Sequence, residues 1–257
     1  MVPWIEADDP LPCTSQALGP HTDAPGLLAA GNDLSNARLE QAYRRGVFPW
    51  FGPGQPVLWW SPSPRMVLPV QDFKVSNSLR KTLRRFIATP GCEVRMDSAF
   101  DRVILACSTT PREGQSGTWI VPAMVQAYTA WHRAGRVHSV ETWVDGELAG
   151  GLYCVAIGRM VFGESMFAHR TDASKIALAA LVAWCRSQGV NLIDCQQHTQ
   201  HLASLGAHEI PRADFERRLT LSTGLPDLQE WSYHRSTWAQ LPTLHEQPAR
   251  PAPPEPT

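Results

Sequence analysis

Apolar positions recur every three or four residues in some stretches of the chain and every second residue in others, the periods of helices and strands. A first helix follows Asp33 or Ser35, either able to cap it, carries Leu39, Ala42 and Tyr43 on one side, and stops at Gly46. VLWW (57–60) is strand-prone and ends where the prolines of SPSPR stop regular structure. MVLPV (66–70) and FKVS (73–76) look extended. SNSLRKTLRRFIA (76–88) reads as a helix capped by Ser76, with Leu79, Leu83, Phe86 and Ile87 as its apolar side. DSAFDRVILACST (97–109) reads as a helix capped by Asp97, and PAMVQAYTAWHRAG (122–135) as one opened by proline and closed by glycine.

The second half is clearer. SVETWV and ELAGGLYCVAI alternate around Asp145-Gly146, a strong hairpin signal. Gly158 turns the chain into the strand RMVFGESMF (159–167). SKIALAALVAWCRSQG (174–189) is a helix capped by Asp172 or Ser174, VNLIDCQ (190–196) a strand, and RADFERRL (212–219) a short helix. Hairpin, strand, helix, strand in that order suggests an α+β protein with a mixed central sheet. The order resembles the GNAT-like acyltransferase fold. The expected division is an N-terminal domain over 1–64, a transferase domain over 65–241, and a Pro-rich tail over 242–257 with a disordered composition.

Charge narrows the choice of partners. The formal net charge of the 257 residues is −1, so no global basic field draws the protein onto nucleic acid. A polyanion must meet a local patch. The candidate is the remaining face of helix 76–88, with Arg80, Lys81, Arg84 and Arg85, together with Lys74. The six cysteines are scattered without a C-x-x-C pair, unlike a disulfide framework. MVPWIEADDP has neither the basic nor the apolar part of a signal peptide, and no apolar run approaches the ~20 residues of a membrane span. A cytoplasmic protein with no membrane partner is expected.

Two carboxylates stand out because burying one costs several kcal/mol unless something pairs with it. Strand alternation places Asp194 and Gln196 on one face, and Phe162, Glu164 and Met166 on one face of the preceding strand. Asp194 beside an amide can hold an amine and accept its proton; spacing alone favours the plainer role of pairing with a nearby Arg. Glu164 could recognise a cation or bond to backbone. Trp50, Phe51, Trp59, Trp60 and Trp119 could line an apolar pocket, although core packing is the commoner use of any one Trp. Cys195, His198 and His201 have metal-like spacing but no evident fourth ligand, so no metal is expected. There is no G-x-S-x-G elbow and no P-loop, and AHRTDAS before helix 174–189 lacks a Gly-rich phosphate cradle.

The blocks PGLLAAGNDLS, RRGVFPWF, LWWSPSPR, GTWI, HSVETW, GGLYCVAIG, FGESMF, ASKIAL, IDCQ and HLASLGA come in an order and spacing that resemble the leucyl/phenylalanyl-tRNA–protein transferases over about residues 25–220. Asn32, Cys154 and Asp172 depart from the usual Gly, Gly and Asn of that family. The resemblance implies transfer of Leu or Phe from aminoacyl-tRNA to the α-amine of proteins with N-terminal Lys or Arg, marking them for degradation. It implies no cofactor. Within it, Asp194 and Gln196 would be catalytic, Glu164 a counter-charge for the acceptor, and Trp50 and Trp119, with Phe162 and Met166 nearby, the aminoacyl pocket. Lys74, Arg80, Lys81, Arg84 and Arg85 would hold tRNA phosphates. A monomer is expected. The runner-up is an acyl-CoA-dependent N-acyltransferase, and a third reading is a non-catalytic RNA-binding module.

Overall fold

The computed structural model describes residues 2–110, 120–241 and 244. Trp119 and most of the Pro-rich tail lie outside them. A small four-stranded sheet comes first, in the order β1-β2-β4-β3: β1 (Trp4–Ile5), β2 (Leu27–Gly31), β3 (Phe48–Pro49) and β4 (Val57–Trp60). Helix α1 (Asn36–Tyr43) sits between β2 and β3, with the Ser35 side chain accepting from Arg38 N and Gly46 at φ 72°. Ser35 is thus the cap; Asp33 bonds the Ser35 N–H instead.

Seven strands form the main sheet. They are β5 (Arg65–Pro69), β6 (Cys92–Met96), β7 (Val137–Val144), β8 (Glu147–Ile157), β9 (Met160–Ala168), β10 (Leu192–Gln196) and β11 (His208–Ile210), in the order β11-β5-β10-β9-β8-β7-β6. Pairing is antiparallel except between β9 and β10, which run parallel. The sheet is therefore mixed, as expected. The turn from β7 to β8 has Asp145 and Gly146 both at positive φ, which suits the tight hairpin that Asp-Gly encodes.

The connecting helices are α2 (Asn77–Ala88), α3 (Phe100–Thr109), α4 (Pro122–Arg133), α5 (Ala173–Ser187), α6 (Gln200–Ser204) and α7 (Arg212–Thr223). Helix α2 buries Leu79, Leu83 and Phe86 and takes its N-cap from Ser76. Two expected caps are corrected. Asp97 lies outside α3 at φ 54° and binds Ser139 N and the His138 ring, leaving Ala99 at the cap. Asp172 occupies the α5 cap position without a capping bond and pairs with Lys175. FKVS is no strand; a 3-10 turn over Val70–Asp72 precedes it. Strands β1, β2, β3, β6 and β11, each of two to five residues, were not foreseen.

The main sheet separates two cores. On one face the small sheet, α1, α3, α4 and α7 pack around Tyr43, Trp59, Tyr128, Trp131, Tyr153, Phe162 and Phe215. On the other lies α5, with α2 and the segment from Leu228 to Leu244. Helix α5 is buried nearly all round, because this C-terminal segment covers its outer side. Leu244 is itself buried, its carbonyl accepting from Arg84 Nε, so the expected disordered tail is anchored at that residue.

Candidate active site

Strand β9 carries one surplus residue. Gly163 pairs with Cys154 and Ser165 with Tyr153, so Glu164 is left unpaired in a β-bulge. The alternation reverses there. Phe162 opposes Val155 in the first core, whereas Met166 opposes Leu152 in the second. The expectation that Phe162, Glu164 and Met166 share one face is therefore corrected. Phe162 is fully buried, edge-on to Tyr43 at 5.0 Å between ring centroids, and supports that tyrosine without reaching any opening. Met166 is half-buried on the far side with Cys195.

Strand β10 is irregular at the same level. Its register against β5 shifts between Asp194 and Gln196, and Gln196 adopts φ 63°. This left-handed conformation is uncommon for a residue with a long side chain and needs outside support. The Asp194 carboxylate supplies it: Oδ1 accepts the Gln196 N–H at 2.9 Å. Parallel pairing with β9 runs through Ile193–Val161 and Asp194–Phe162 and ends there among the described residues. Past that point, Gln196 Nε2 bridges to Glu164 Oε1 at 2.9 Å.

Asp194 is fully buried and paired with Arg65, as its spacing alone favoured. Arg65 Nε donates to Oδ1 at 2.8 Å and Nη2 to Oδ2 at 2.6 Å, a bidentate pair. The guanidinium also donates to the Gly46 carbonyl at 3.0 Å and lies over the rings of Phe48 and Phe215. Both oxygens of Asp194 are thus engaged by protein donors.

Glu164 differs. It is half-buried, and its partners are neutral. Tyr43 Oη donates to Oε1 at 2.7 Å and lies 2.5 Å from Tyr128 Oη. Tyr128 Oη stands 3.4 Å from Oε2. Burial pushes the carboxyl up to about 7, while the bonds from Tyr43 and Gln196 hold it down. Burial likewise raises Tyr43 and Tyr128, so both remain phenols and donors at neutral pH. The arrangement can receive a cation beside a carboxylate whose charge state turns over near neutrality.

A profile of the leucyl/phenylalanyl-tRNA protein transferases matches residues 67–220, and one of their N-terminal domain matches residues 32–63. The chain belongs to this family. A leucyl/phenylalanyl-tRNA–protein transferase of Methylibium petroleiphilum is 64% identical over 242 residues, covering 94% of this chain and 91% of its own. One of Leptothrix cholodnii is 62% identical over 244 residues, covering 94% and 95%. One of Polaromonas sp. is 59% identical over 250 residues, covering 97% of each.

The candidate site brings together Asp194, Gln196 and Glu164 of the expected residues. Trp50 is half-buried at the edge of the first core, 5.4 Å from the Trp60 ring. Phe51, Trp59 and Trp60 are core. Lys74, in the segment before α2, and Lys81, Arg84 and Arg85 on α2 are exposed, and Arg80 is half-buried beside Asn77. Three residues were not foreseen as part of the site: Arg65, Tyr43 and Tyr128. Tyr43 and Tyr128 follow helical spacing and look like any core aromatic. Arg65 opens a strand that is otherwise apolar, RMVLP, and that was the available signal. Among the described residues no group of three or more His, Cys, Asp or Glu side chains is placed to hold a metal ion. No helix there is long and apolar enough to cross a membrane.

Proposed function

We propose that this chain transfers Leu or Phe from aminoacyl-tRNA to the α-amine of a protein beginning with Lys or Arg. The observation that carries the acceptor side is Glu164, a half-buried carboxylate bonded to neutral donors and holding no cation of its own. An N-terminal Lys or Arg side chain supplies that cation and offsets the cost of burying the charge.

In the reaction the neutral amine attacks the ester carbonyl carbon. A C–N bond forms and the C–O bond to the tRNA ribose breaks. The amine gives up one proton and the ribose oxygen takes one up. An α-amine titrates near ~8, so a useful neutral fraction exists at neutral pH. An aminoacyl ester is already activated, and positioning supplies much of the rate. With its oxygens engaged by Arg65 and Gln196, Asp194 acts through Gln196, whose carboxamide orients the amine beside Glu164. The α2 surface with Lys81 and Arg85, together with Lys74 just before the helix, takes the tRNA phosphates, with Arg80 and Arg84 contributing from partly committed positions.

The β9 bulge turns Met166 and Cys195 to the other face of the sheet. The acceptor meets Glu164, and the Leu or Phe side chain lies on the same face as Glu164, because the amine must reach the ester carbon beside it. Trp50 borders the acceptor side; Trp119 lies outside the described residues. The carboxylate of Asp172 at the α5 N-terminus disfavours a pyrophosphate there, which weighs against an acyl-CoA donor.

Labelled Leu-tRNA, an Arg-initiated peptide and, in parallel, labelled acetyl-CoA test this reading. Label passing from tRNA to peptide is expected. Acetylation without it would support the acyl-CoA reading, and tRNA binding alone an RNA-binding module.

A further inference from the structure

Arg65 closes a circuit of hydrogen bonds around the site. It donates twice to Asp194; Asp194 accepts from Gln196 N; Gln196 donates to Glu164; Glu164 accepts from Tyr43. From Tyr43 the chain runs through the end of α1 to Gly46, whose N–H bonds the Tyr43 carbonyl and whose own carbonyl accepts from Arg65. Only a guanidinium presents enough donors in a fixed fork to serve Asp194 at both oxygens and Gly46 at once. Phe48 and Phe215 sandwich it, so it has little freedom to choose other partners. Gly46 is equally constrained: a Cβ there would stand 2.9 Å from the Phe215 ring.

We infer that Arg65 is a positioning residue for the transfer reaction: through Asp194 it holds Gln196 in its left-handed conformation, and through Gly46 it fixes Tyr43, so that both donors converge on Glu164. The inference rests on the proposed aminoacyl transfer. It also assigns the Arg65–Asp194 pair a role beyond joining β5 to β10. If the pair were only a sheet fastening, weakening it would lower stability and leave the kinetics of the folded protein unchanged.

The test is R65K in the wild-type and Q196A backgrounds, with labelled Leu-tRNA and an Arg-initiated peptide. Lysine keeps the charge beside Asp194 but loses the fork. R65K is expected to fold, to bind tRNA as tightly as wild type, and to lose about 100-fold in kcat, the size of loss a misplacement of about 1 Å can cause. In Q196A, where only the route through Gly46 to Tyr43 is left, R65K is expected to lower kcat by less than about tenfold further. An equal loss in both backgrounds overturns the inference, as does an unchanged kcat in R65K. A chain that fails to fold as R65K also overturns it, because lysine satisfies the charge and only a structural role would then explain the failure. Wild-type protein that transfers no label rejects the transferase reading itself.

Discussion

Two glutamates, Glu141 and Glu164, stand on strands of the same sheet and meet opposite fates. Glu141 is fully buried on β7 and accepts from Ser98 Oγ, Ala99 N, Ser139 Oγ and Trp143 Nε1. Every direction from which a ligand could approach is taken. Glu164 reaches the surface, and its partners are a carboxamide and phenols that leave its charge uncompensated. Burial alone does not mark a functional acid; unfilled capacity to accept does. A saturated carboxylate braces the fold, and an unsaturated one waits for a cation.

The contrast can be broken most forcefully at Glu141. E141A strands the buried donors of Ser139 and Trp143, while the exposed Ser98 hydroxyl can turn to water, and should cost about 3 kcal/mol of stability by urea denaturation, with the kcat of the folded fraction unaltered. A loss of activity without a loss of stability would place Glu141 in the site. E164Q should do the reverse, lowering kcat/KM for an Arg-initiated peptide by about 100-fold while leaving tRNA affinity intact, the size expected for losing a half-buried ion pair with substrate. An unimpaired E164Q enzyme would remove Glu164 from acceptor recognition.

Acidity sharpens the same point. The folded Glu164 titrates at about 7, above its ordinary value of 4.5. Below about 7 the carboxyl is neutral and its attraction for a cationic acceptor is lost, so kcat/KM should climb through that region more steeply than deprotonation of the α-amine alone would make it, and level off only above ~8, where that amine is neutral. For stability the sign is opposite. The charged form is disfavoured in the fold, so ionisation of Glu164 takes away on the order of 3 kcal/mol as pH rises from about 4.5 through 7. The difference in stability between E164Q and wild type, followed from pH 5 to pH 8, should therefore move in favour of the variant. A flat difference contradicts the raised value. The smallest effect belongs to α2: K81E with R85E should weaken tRNA binding about tenfold at low salt and less at high salt, in a filter-binding titration.

Long, strongly patterned elements were legible in the sequence. Helices α2 and α5, the β7–β8 hairpin and strand β10 all follow from period, caps and the Asp145-Gly146 turn. Asp194, Gln196 and Glu164 were legible as candidates because carboxylates against apolar surface are costly. The faces they occupy were not. Alternation fails wherever a strand bulges, and nothing in FGESMF or IDCQ announces a surplus residue. The cation that pairs with Asp194 was hidden for a different reason. Arg65 and Asp194 are separated by 129 positions, and only the crossing of β5 beside β10 brings them together. Tyr43 and Tyr128 were hidden because helical spacing reports which side chains face inward, not which of them ends in a hydroxyl aimed at a carboxylate.

The extra residue at Glu164 also acts as a parity switch. Upstream of it, even-numbered side chains of β9 look one way; downstream, they look the other. One strand thereby serves two rooms, turning an acid toward one and a thioether toward the other, with the thickness of a single backbone between them. Deleting one residue at this point would restore the regular alternation and move every side chain after it through the wall, so the lining of each room depends on a count of residues as much as on their identity.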